Sequence, residues 1–437
     1  MLDTADTSST LSPLQQTLQQ AETSCIKCGF CLPTCPTYRL TGNEVASPRG
    51  RIDLMHALAA GDVSTREIFA ALDFCLGCRA CETACPAGVQ FGQLLEAGRA
   101  AARSGRPESP LGDWLQQLCM DTLLPSPPAL HRVANLLRLY QVSGLQTLVR
   151  RSGVLPRLLP TLAAMEALIP PVPAAAARRP LPVETPPHGE ERGRVAMLTG
   201  CIMPELFPEV NHATVHVLAT NGYRVFAPPA QRCCGALQAH AGERERAQEL
   251  ARQSIAVFEA IAADWIVVNS AGCGAMLKEY GHLLADDPAF AARAQIFSRR
   301  VQDVSELLAT APLRGTLQPV PVRAVYDDPC HLLHGQKIRQ QPRALLRQVP
   351  ELQLVDLPES DWCCGSAGTY NVLHPKTAQA LLDRKMAHIA AVQPQLIVTG
   401  NPGCILQLRQ GVTCHQLTAE VRHPVEVLAR AYGLQTQ

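Results

Sequence analysis

The chain has 437 residues, too many for one ordinary hydrophobic core, and this length indicates about two to four domains. Apolar residues make up 47% and charged residues 18%, a balance typical of soluble globular proteins. A formal net charge of +1 and only 4% aromatic residues argue against nucleic acid as the main partner. Cysteine is the unusual component, with 18 residues.

The start of the chain predicts the compartment in which these cysteines lie. The first residues, MLDTADTSSTLSPLQQ, lack the basic start and apolar run of a secretory signal. The sequence contains no run of about 18 apolar residues, so it predicts no membrane span. We therefore expect a cytoplasmic protein, with peripheral contact to the inner face of the cytoplasmic membrane as an option. In a reducing compartment, clustered cysteines are expected to be metal ligands rather than disulfides.

Two cysteine runs in residues 1–100 share one spacing. Both read C-x2-C-x2-C-x3-C-P, and each cysteine of the second run lies 50 positions after its counterpart. The first run is Cys25, Cys28, Cys31 and Cys35, followed by Pro36; the second is Cys75, Cys78, Cys81 and Cys85, followed by Pro86.

This spacing is typical of bacterial two-cluster ferredoxins, in which the fourth cysteine of each run ligates the other cluster. A loop with a ligand at every third residue wraps three thiolates around one cluster, and the proline turns the fourth away. Zinc is the alternative, but it usually takes separate C-x2-C pairs or Cys/His mixtures. The predicted [4Fe–4S] ligand sets are Cys25, Cys28, Cys31 and Cys85 for one cluster, and Cys75, Cys78, Cys81 and Cys35 for the other.

Basic residues lie close to both runs. Either they form a solvated face, or they raise the potential of a negatively charged cluster or dock an acidic partner. They are Lys27, Arg39, Arg49, Arg51 and Arg79.

The middle of the chain predicts helices and then a linker. Residues 92–169 carry apolar side chains at three- and four-residue spacing, which favours a helical connector. Cys119 falls within this pattern, and we expect it to be a buried, small apolar residue. Residues 170–193 are rich in proline and predict a stiff, extended linker rather than a folded segment.

After the linker the chain repeats itself with a period near 130 residues. In each copy, predicted strands alternate with helices, which favours a parallel α/β sheet. The strands are expected at 194–199, 223–227 and 265–269, and at 322–327, 352–357 and 395–399. The repeated cysteines are Cys201, Cys233, Cys234 and Cys273 in the first copy, and Cys330, Cys363, Cys364 and Cys404 in the second.

Each repeated cysteine follows a predicted strand, so four thiols per copy are expected to converge at the carboxyl edge of a sheet. Metal or cluster binding, a redox disulfide and a purely structural role all remain open. Adjacent cysteines rarely form a disulfide because the ring is strained, and repetition of the set favours a metal. The second copy is the stronger candidate, since acidic and imidazole side chains near Cys330 would allow mixed ligands. These are Asp327, Asp328, His331 and His334, whereas Cys414 lies outside the repeat.

These residues carry a family resemblance. The second half resembles the cysteine-rich CCG domains, named for their Cys-Cys-Gly motif, of the heterodisulfide reductase B subunit. The whole arrangement resembles the glycolate oxidase iron–sulfur subunits, and the anaerobic glycerol-3-phosphate dehydrogenase C subunit has similar parts. Lactate-utilisation proteins share the CCG half. The stretches that carry the likeness are CIKCGFCLPTCPTY (25–38), SPRGRIDLM (47–55), SAGCGAMLKEYG (270–281) and CCGSAGTYNVLHP (363–375).

The resemblance implies a multidomain α+β chain. It begins with a mainly α-helical, two-cluster 4Fe–4S ferredoxin-type domain at 1–100. The other expected segments are the helical connector at 101–169, the proline-rich linker at 170–193, and two tandem α/β CCG domains at 194–315 and 316–437.

The resemblance also implies a role in a hetero-oligomeric oxidoreductase. Separate FAD-containing glycolate oxidase subunits would oxidise glycolate to glyoxylate, since this chain shows no G-x-G-x-x-G fingerprint and no catalytic residues of its own. The chain would pass electrons from the flavin toward quinone or another acceptor, through two [4Fe–4S] clusters. A further iron–sulfur cluster or a zinc ion is expected in a CCG domain. Alternatives are a lactate or glycerol-3-phosphate dehydrogenase complex, a thiol–disulfide reductase, or a zinc-stabilised scaffold with a ferredoxin arm.

One departure from the heterodisulfide reductase pattern limits what carries over. The motif of that family ends in C-x2-C, but Met276 and Gln407 stand three residues after Cys273 and Cys404. Each copy therefore has one thiol fewer, which argues against the non-cubane clusters of that family and against a disulfide reductase.

Overall fold

A computed structural model describes residues 17–18, 24–107, 109–158, 166 and 169–434. The chain folds into two compact units. The first comprises Met1–Ser109 with Ala239–Arg244, and the second Pro110–Gln238 with Glu245–Gln437. None of the described helices is long and apolar enough to cross a membrane.

The first unit is helical. Pro36 occupies the first turn of α1, so the proline that ends the first cysteine run also starts a helix. Ser47 caps α2 by accepting from the Gly50 N–H, and Ser64 with Glu67 forms a capping box on α3. The helices are α1 (Pro36–Thr41), α2 (Pro48–Ala60), α3 (Thr65–Asp73), α4 (Ala80–Ala84) and α5 (Phe91–Ala102), with 3-10 turns at Glu44–Ala46 and Arg103–Gly105.

The core of this unit lies between α2, α3 and α5. Met55, Ile68 and Leu94 are fully or almost fully buried there. The cysteine loops close over the same core, because Cys75 and Cys81 belong to it and Cys25, Cys31 and Cys85 pack against it. The apolar core therefore positions thiols from both runs.

The second unit begins with the expected helical segment. Its helices are α6 (Pro110–Gln117), α7 (Pro127–Val142), α8 (Leu145–Ser152) and α9 (Val154–Leu158). Most of residues 159–168, where helix was also expected, lie outside the described residues. The prediction that Cys119 is buried is wrong. It lies in a π-helical segment (Leu118–Leu123), where the wider turn buries Met120 and leaves Cys119 exposed.

The expectation that residues 170–193 are merely an extended linker is also wrong in part. Val172 and Arg178 are buried, and the Arg178 guanidinium bonds to the Glu205 carboxylate at 2.5 Å. A short strand, β1 (Glu184–Thr185), pairs antiparallel with β3. Proline-rich composition predicts an extended backbone, and here that backbone also finds partners on an adjacent domain surface.

Two parallel sheets form the rest of the unit. The first has the order β1-β3-β2-β4-β5 and the second β7-β6-β8-β9. All pairs except β1 with β3 are parallel. The strands are β2 (Gly193–Leu198), β3 (Tyr223–Phe226), β4 (Trp265–Val268), β5 (Val301–Asp303), β6 (Arg323–Tyr326), β7 (Gln353–Val355), β8 (Leu396–Val398) and β9 (Glu420–Arg422).

All six predicted strands are present, displaced at their ends by one or two residues. Strands β1, β5 and β9 were not expected, because two or three residues carry no readable alternation. Apolar residues from both sheets, such as Val195 and Val325, share one core. The two copies of the repeat are thus two halves of one folded body.

Helices cover both sheets. In the first copy they are α10 (Met203–Leu206), α11 (Pro208–Thr220), α12 (Ala236–His240), α13 (Arg244–Glu259), α14 (Ala271–Lys278), α15 (Tyr280–Leu283), α16 (Ala291–Arg300) and α17 (Val304–Leu308). In the second they are a π turn (His331–Gly335), α18 (Gln340–Leu346), α19 (Tyr370–Leu373), α20 (Pro375–Val392), α21 (Pro402–Cys414) and α22 (Pro424–Ala431).

Candidate metal centres

The two N-terminal cysteine loops have the same backbone conformation. Lys27 and its counterpart Gly77 both have positive φ, at 54° and 65°. Gly29 and its counterpart Arg79 also do, at 82° and 64°. Lysine and arginine rarely adopt this left-handed region, and such departures concentrate at functional sites. The repeated conformation makes each loop curl in the same way around its first three cysteines.

The thiols of these loops differ in exposure. Cys35, Cys75 and Cys81 are buried, and Cys28 is exposed between the exposed apolar side chains of Ile26 and Phe30. The remaining thiols, those of Cys25, Cys31, Cys78 and Cys85, are half-buried.

Neighbouring thiols link the two runs. Burial raises the pKa of the Cys81 thiol well above its ordinary value, and the nearby sulfurs of Cys78, Cys75 and Cys35 raise it further. Burial also raises the pKa of Cys31, with Cys25 and Cys35 adding to the effect. Cys35 of the first run therefore lies close to a thiol of each run, Cys31 and Cys81.

One fully buried and one half-buried arginine lie beside this second set. Arg51 is fully buried and donates to the carbonyls of Ala46 at 2.7 Å and Ala71 at 2.8 Å. It also donates to the Thr37 hydroxyl at 3.2 Å, and that oxygen lies 3.3 Å from the Cys35 sulfur. Arg99 donates to the Cys75 carbonyl at 2.6 Å, and burial lowers its pKa. Arg51 was a candidate from the sequence, whereas Arg99 was missed because it lies on an amphipathic helix without any motif.

In the second unit the thiols gather as the repeat predicts. Cys201 follows β2, Cys233 and Cys234 follow β3, and Cys273 lies in the first turn of α14 after β4. Their thiols form a row of hydrogen bonds in which Cys233 meets Cys201 and Cys234, and Cys234 meets Cys273. We refer to these four residues as the first quartet.

The second copy has the same arrangement. Cys363 meets Cys330 and Cys364, and Cys364 meets Cys404. We refer to these four residues as the second quartet. Over the described ranges, no group of three or more His, Cys, Asp or Glu side chains surrounds a point in the way that a single metal ion requires. The fit to a metal centre therefore depends on the donor chemistry.

The donor chemistry of the quartets suits a cation. In the first quartet, hydrogen bonds from Cys201 and Cys234 lower the pKa of Cys233 well below its ordinary value. In the second, hydrogen bonds from Cys363 and Cys404 do the same for Cys364. A hydrogen bond with Cys234 also lowers the pKa of Cys273 in the first quartet. Each quartet thus favours at least one thiolate, and thiolates are the form that binds metals.

The mixed-ligand hypothesis for the second copy is not supported by the geometry at Asp328. Both guanidinium nitrogens of Arg343 donate to its carboxylate at 2.6 Å, and the Ser360 hydroxyl donates at 2.7 Å. The carboxylate is therefore already engaged by a guanidinium group and a hydroxyl. His334 is buried, and this burial lowers its pKa. His331 lies against Gly272, with its Nδ1 3.6 Å from the point where a Cβ would stand.

A buried ion pair lies beside the second quartet instead. Lys385 Nζ is 2.8 Å from Asp327 Oδ1, and both side chains are almost completely buried. Burial raises the pKa of Asp327 to about 6, and this carboxylate in turn raises the pKa of Lys385 despite its own burial. At neutral pH the two side chains are both charged. Sequence reasoning missed Lys385, although a lysine in a helix of apolar spacing is a usable signal.

The two cysteine loops also contact each other. The Ala271 N–H donates to the Gly400 carbonyl at 3.2 Å, and the Gly272 N–H donates to Asn401 Oδ1 at 3.2 Å. Gln336 adds a bond from its amide to the Ala271 carbonyl at 3.0 Å. The loops that carry Cys273 and Cys404 are thus held together by backbone and amide bonds.

Comparison with protein-family models divides the chain in the same way. A 4Fe–4S dicluster domain matches residues 22–89, and the linker region of the glycolate oxidase iron–sulfur subunit matches 112–169. The cysteine-rich CCG domain matches twice, at 195–278 and 324–409.

Curated relatives extend this likeness over nearly the whole chain. A probable glycolate oxidase iron–sulfur subunit of Bacillus subtilis is 41% identical, over 94% of both chains. The glycolate oxidase iron–sulfur subunit of Escherichia coli is 35% identical, over 93% of both. Lactate utilization protein A of Shouchella clausii is 30% identical, over 54% of this chain and 98% of its own. The chain therefore belongs to the family of glycolate oxidase iron–sulfur subunits, confirming the resemblance drawn from its motifs.

Proposed function

We propose that this chain is the electron-transfer subunit of a complex in which FAD-containing partner subunits oxidise glycolate. The chain accepts electrons from the reduced flavin one at a time and passes them toward quinone or another acceptor. Family membership supports the role, and the absence of a dinucleotide fingerprint in the sequence supports a separate flavoprotein. A cytoplasmic location, at the inner face of the membrane when quinone is the acceptor, is part of the proposal.

The observation that best supports this proposal is the position of Cys35. Its sulfur is among the neighbours of Cys81, together with those of Cys75 and Cys78. Proximity of Cys35 to a thiol of the second run supports the crossed pattern of two-cluster ferredoxins. We therefore assign Cys75, Cys78, Cys81 and Cys35 to one [4Fe–4S] cluster, and Cys25, Cys28, Cys31 and Cys85 to the other.

The chain's own residues provide a different environment for each ligand set. When bound, such clusters supply reversible one-electron transfer. The apolar core around Cys75 and Cys81 excludes water from one set, and Arg51 orients Thr37 toward the Cys35 sulfur. The exposed Cys28 brings the other set to the surface, where a redox partner has access.

Both quartets are proposed as further metal centres, holding an additional iron–sulfur cluster or zinc. Four converging thiols are the donor set in each, and hydrogen bonds favour the thiolate form of Cys233 and Cys273 in the first quartet and of Cys364 in the second. With Asp328 engaged by Arg343, we take the four cysteines as the donor set of the second copy, and His331 as the remaining candidate for a mixed shell. The same thiols would otherwise serve thiol–disulfide exchange, which is the enzyme-class alternative.

The decisive experiment measures composition and turnover on one preparation. The chain is purified without oxygen, and its iron, acid-labile sulfide and zinc are counted. The N-terminal ligand sets account for about eight iron atoms as two cubanes, and any excess of iron or zinc belongs to the quartets. Fewer than about six iron atoms would contradict two cubanes.

Turnover then tests the role. Glycolate-dependent reduction of an artificial acceptor should require the flavin subunits, because the sequence predicts no catalytic residues for carbon chemistry on this chain. Lactate and glycerol 3-phosphate, assayed in the same mixture, distinguish the alternative substrates. Glycolate oxidation by this chain alone, without flavin, would disprove the proposal.

A further inference from the structure

The two CCG copies can be aligned residue by residue on one helix. Six buried positions on α13 recur on α20, each 131 residues later. At five of them an apolar residue of one copy corresponds to an apolar residue of the other. At the fourth position along the helix, Lys385 stands where the first copy has Ser254. The positions are Ala247, Leu250, Ala251, Ser254, Ile255 and Phe258 on α13, and Ala378, Leu381, Leu382, Lys385, Met386 and Ile389 on α20.

The strand before the first cysteine of each copy shows the same difference. The second copy has a charged residue where the first copy has a neutral one. Asp327 precedes Cys330 by three residues, and Leu198 precedes Cys201 by three. Strand register agrees, since Val195 pairs with Trp265 as Ala324 pairs with Leu396. Leu198 is therefore the counterpart of Asp327. Both members of the buried ion pair belong to the second copy alone.

The ammonium group of Lys385 is held in one place. It donates to the carbonyls of Glu359 and Ser360, both at 2.9 Å, and lies 2.8 Å from the Asp327 carboxylate. Thr399 donates to the other oxygen of that carboxylate at 3.0 Å. Ser360 lies three residues before Cys363, so the ammonium anchors the segment that carries the cysteine pair. Its positive charge interacts more strongly with the Cys364 thiol than with the Cys363 thiol.

The first copy shows that the fold does not need this pair. Its Ser254 and Leu198 are buried at the same two positions without any charge. Instead Tyr280 donates to the Cys234 carbonyl at 2.8 Å, with Ser254 3.5 Å from the tyrosine oxygen. Burying two charges is expensive, and a well-packed apolar pair is commonly as stable. A role at the quartet accounts for a pair that the fold can do without.

We propose that Lys385 is a positioning residue that raises the reduction potential of the centre held by the second quartet above that of the first. A fixed cation next to a thiolate-ligated centre stabilises the form that has gained an electron. The electron comes from the partner's reduced flavin through the N-terminal clusters and leaves to the acceptor, and no bond is made or broken. This inference rests on the proposed function, since it requires an iron–sulfur cluster in the second quartet.

The two charges predict opposite effects. Without the ammonium, the reduced state loses its stabilising cation, so the potential of the second centre falls. Without the carboxylate charge, the ammonium is no longer partly neutralised, so the potential rises. If the pair had a purely structural role, the two substitutions would not shift the reduction potential in opposite directions.

The test is a redox titration of the full chain, purified without oxygen and followed by electron paramagnetic resonance. The second centre is identified as the signal lost in Cys364→Ser. The variants are Lys385→Met, Asp327→Asn and the double variant Asp327→Leu with Lys385→Met. The matched control is Lys376→Met, the same change at an exposed position on α20. We expect Lys385→Met to shift the reduction equilibrium at least tenfold toward oxidation, or about 59 mV for one electron, and Asp327→Asn to shift it the other way.

The outcomes separate this inference from the proposed function. The inference is supported if Lys385→Met and Asp327→Asn shift the reduction potential of the second centre alone in opposite directions, and if Lys376→Met leaves that potential unchanged. No shift, or shifts in the same direction, overturns it while leaving the cluster assignment intact. If Lys385→Met loses the centre, Asp327→Asn decides, and an unchanged or lowered potential in that variant overturns the inference. If the wild-type chain holds only about eight iron atoms and Cys364→Ser removes none, the cluster in the second quartet is disproved and this inference with it.

Discussion

The N-terminal unit and the CCG unit gather their thiols in different ways. In the first, three cysteines of each set follow one another along a single loop, and backbone conformation arranges them. In the second, each quartet takes its thiols from the ends of three strands, and sheet topology arranges them. The comparison teaches that thiols arranged by a single loop can keep their positions when the surrounding core changes. Thiols arranged by sheet topology require the whole domain to fold.

The two regions also differ in how charge surrounds the thiols. The cations beside the exposed Cys28, Lys27 and Arg49, are paired at the surface with Asp53 and Glu44. The cation beside the second quartet, Lys385, is buried with its partner. Exposed charges are screened by water, whereas buried charges act at full strength. The first cysteine run therefore offers access and the second quartet offers control, and Arg51 adds a fully buried cation to the N-terminal unit.

The largest expected effect tests the crossed ligand sets. Cys35→Ser should remove the same cluster as Cys78→Ser, with a loss of up to about four iron atoms, because the proposed crossed set joins Cys35 to the first three cysteines of the second run. The measurement is iron content together with the paramagnetic signal that disappears. Cys28→Ser is the control and should remove the other signal. If Cys35→Ser and Cys28→Ser remove the same signal, each run ligates its own cluster.

A large effect on stability is expected at the buried pair. Lys385→Met leaves the Asp327 carboxylate without its partner, and breaking such a pair typically costs about 3–5 kcal/mol. The double variant Asp327→Leu with Lys385→Met should recover most of that loss. Urea unfolding of the CCG unit, followed by circular dichroism, measures both. A double variant as unstable as Lys385→Met would mean that packing, and not the unpaired charge, causes the loss.

A smaller effect, dependent on pH, is expected at Asp303. This buried residue caps α17 by accepting from the Ser305 N–H at 2.8 Å, and burial raises its pKa from 3.8 to about 6. The folded state therefore holds the proton more tightly than the unfolded state. Stability from this group is complete below pH 3.8 and is lost as the pH rises through about 6.

Asp303→Asn should keep the hydrogen bond that caps α17 and remove the loss of stability that ionisation of Asp303 causes. At pH 7 the variant should be more stable than wild type by up to about 3 kcal/mol, from roughly two pKa units. The advantage should shrink as the pH falls from 7 to 5, measured by thermal unfolding. The exposed Asp286→Asn is the control. An advantage that is constant with pH would contradict the assignment.

The smallest effect is expected at the surface of the N-terminal unit. Arg49→Met removes the ion pair with Glu44, whose side chains are well exposed. Because exposed pairs contribute little, the unfolding midpoint should match wild type within error. Thermal unfolding at low and high salt checks this. A clear destabilisation at low salt would show that charge near the first cysteine run is as important as charge near the second quartet.

Sequence pattern located the thiols and most of the sheet, because both depend on short-range regularities. The C-x2-C-x2-C-x3-C-P spacing and the repeat placed the ligand candidates, and apolar runs placed six strands. Patterns failed where a side chain's surroundings come from distant segments. Lys385 is one lysine on an amphipathic helix, and only the strand end at Asp327 gives it a role. Cys119 was misplaced because a π turn changes which face of the helix is buried.

The bonds between Ala271 and Gly400 and between Gly272 and Asn401 join two domains that one chain already tethers through residues 309–322. Tethering gives each domain a high effective concentration near the other, on the order of millimolar for short linkers. These bonds and the apolar core that the two domains share therefore hold the domains together without a separate association step. Fusion of the two domains also fixes their stoichiometry, so that every folded molecule carries both quartets without any assembly step.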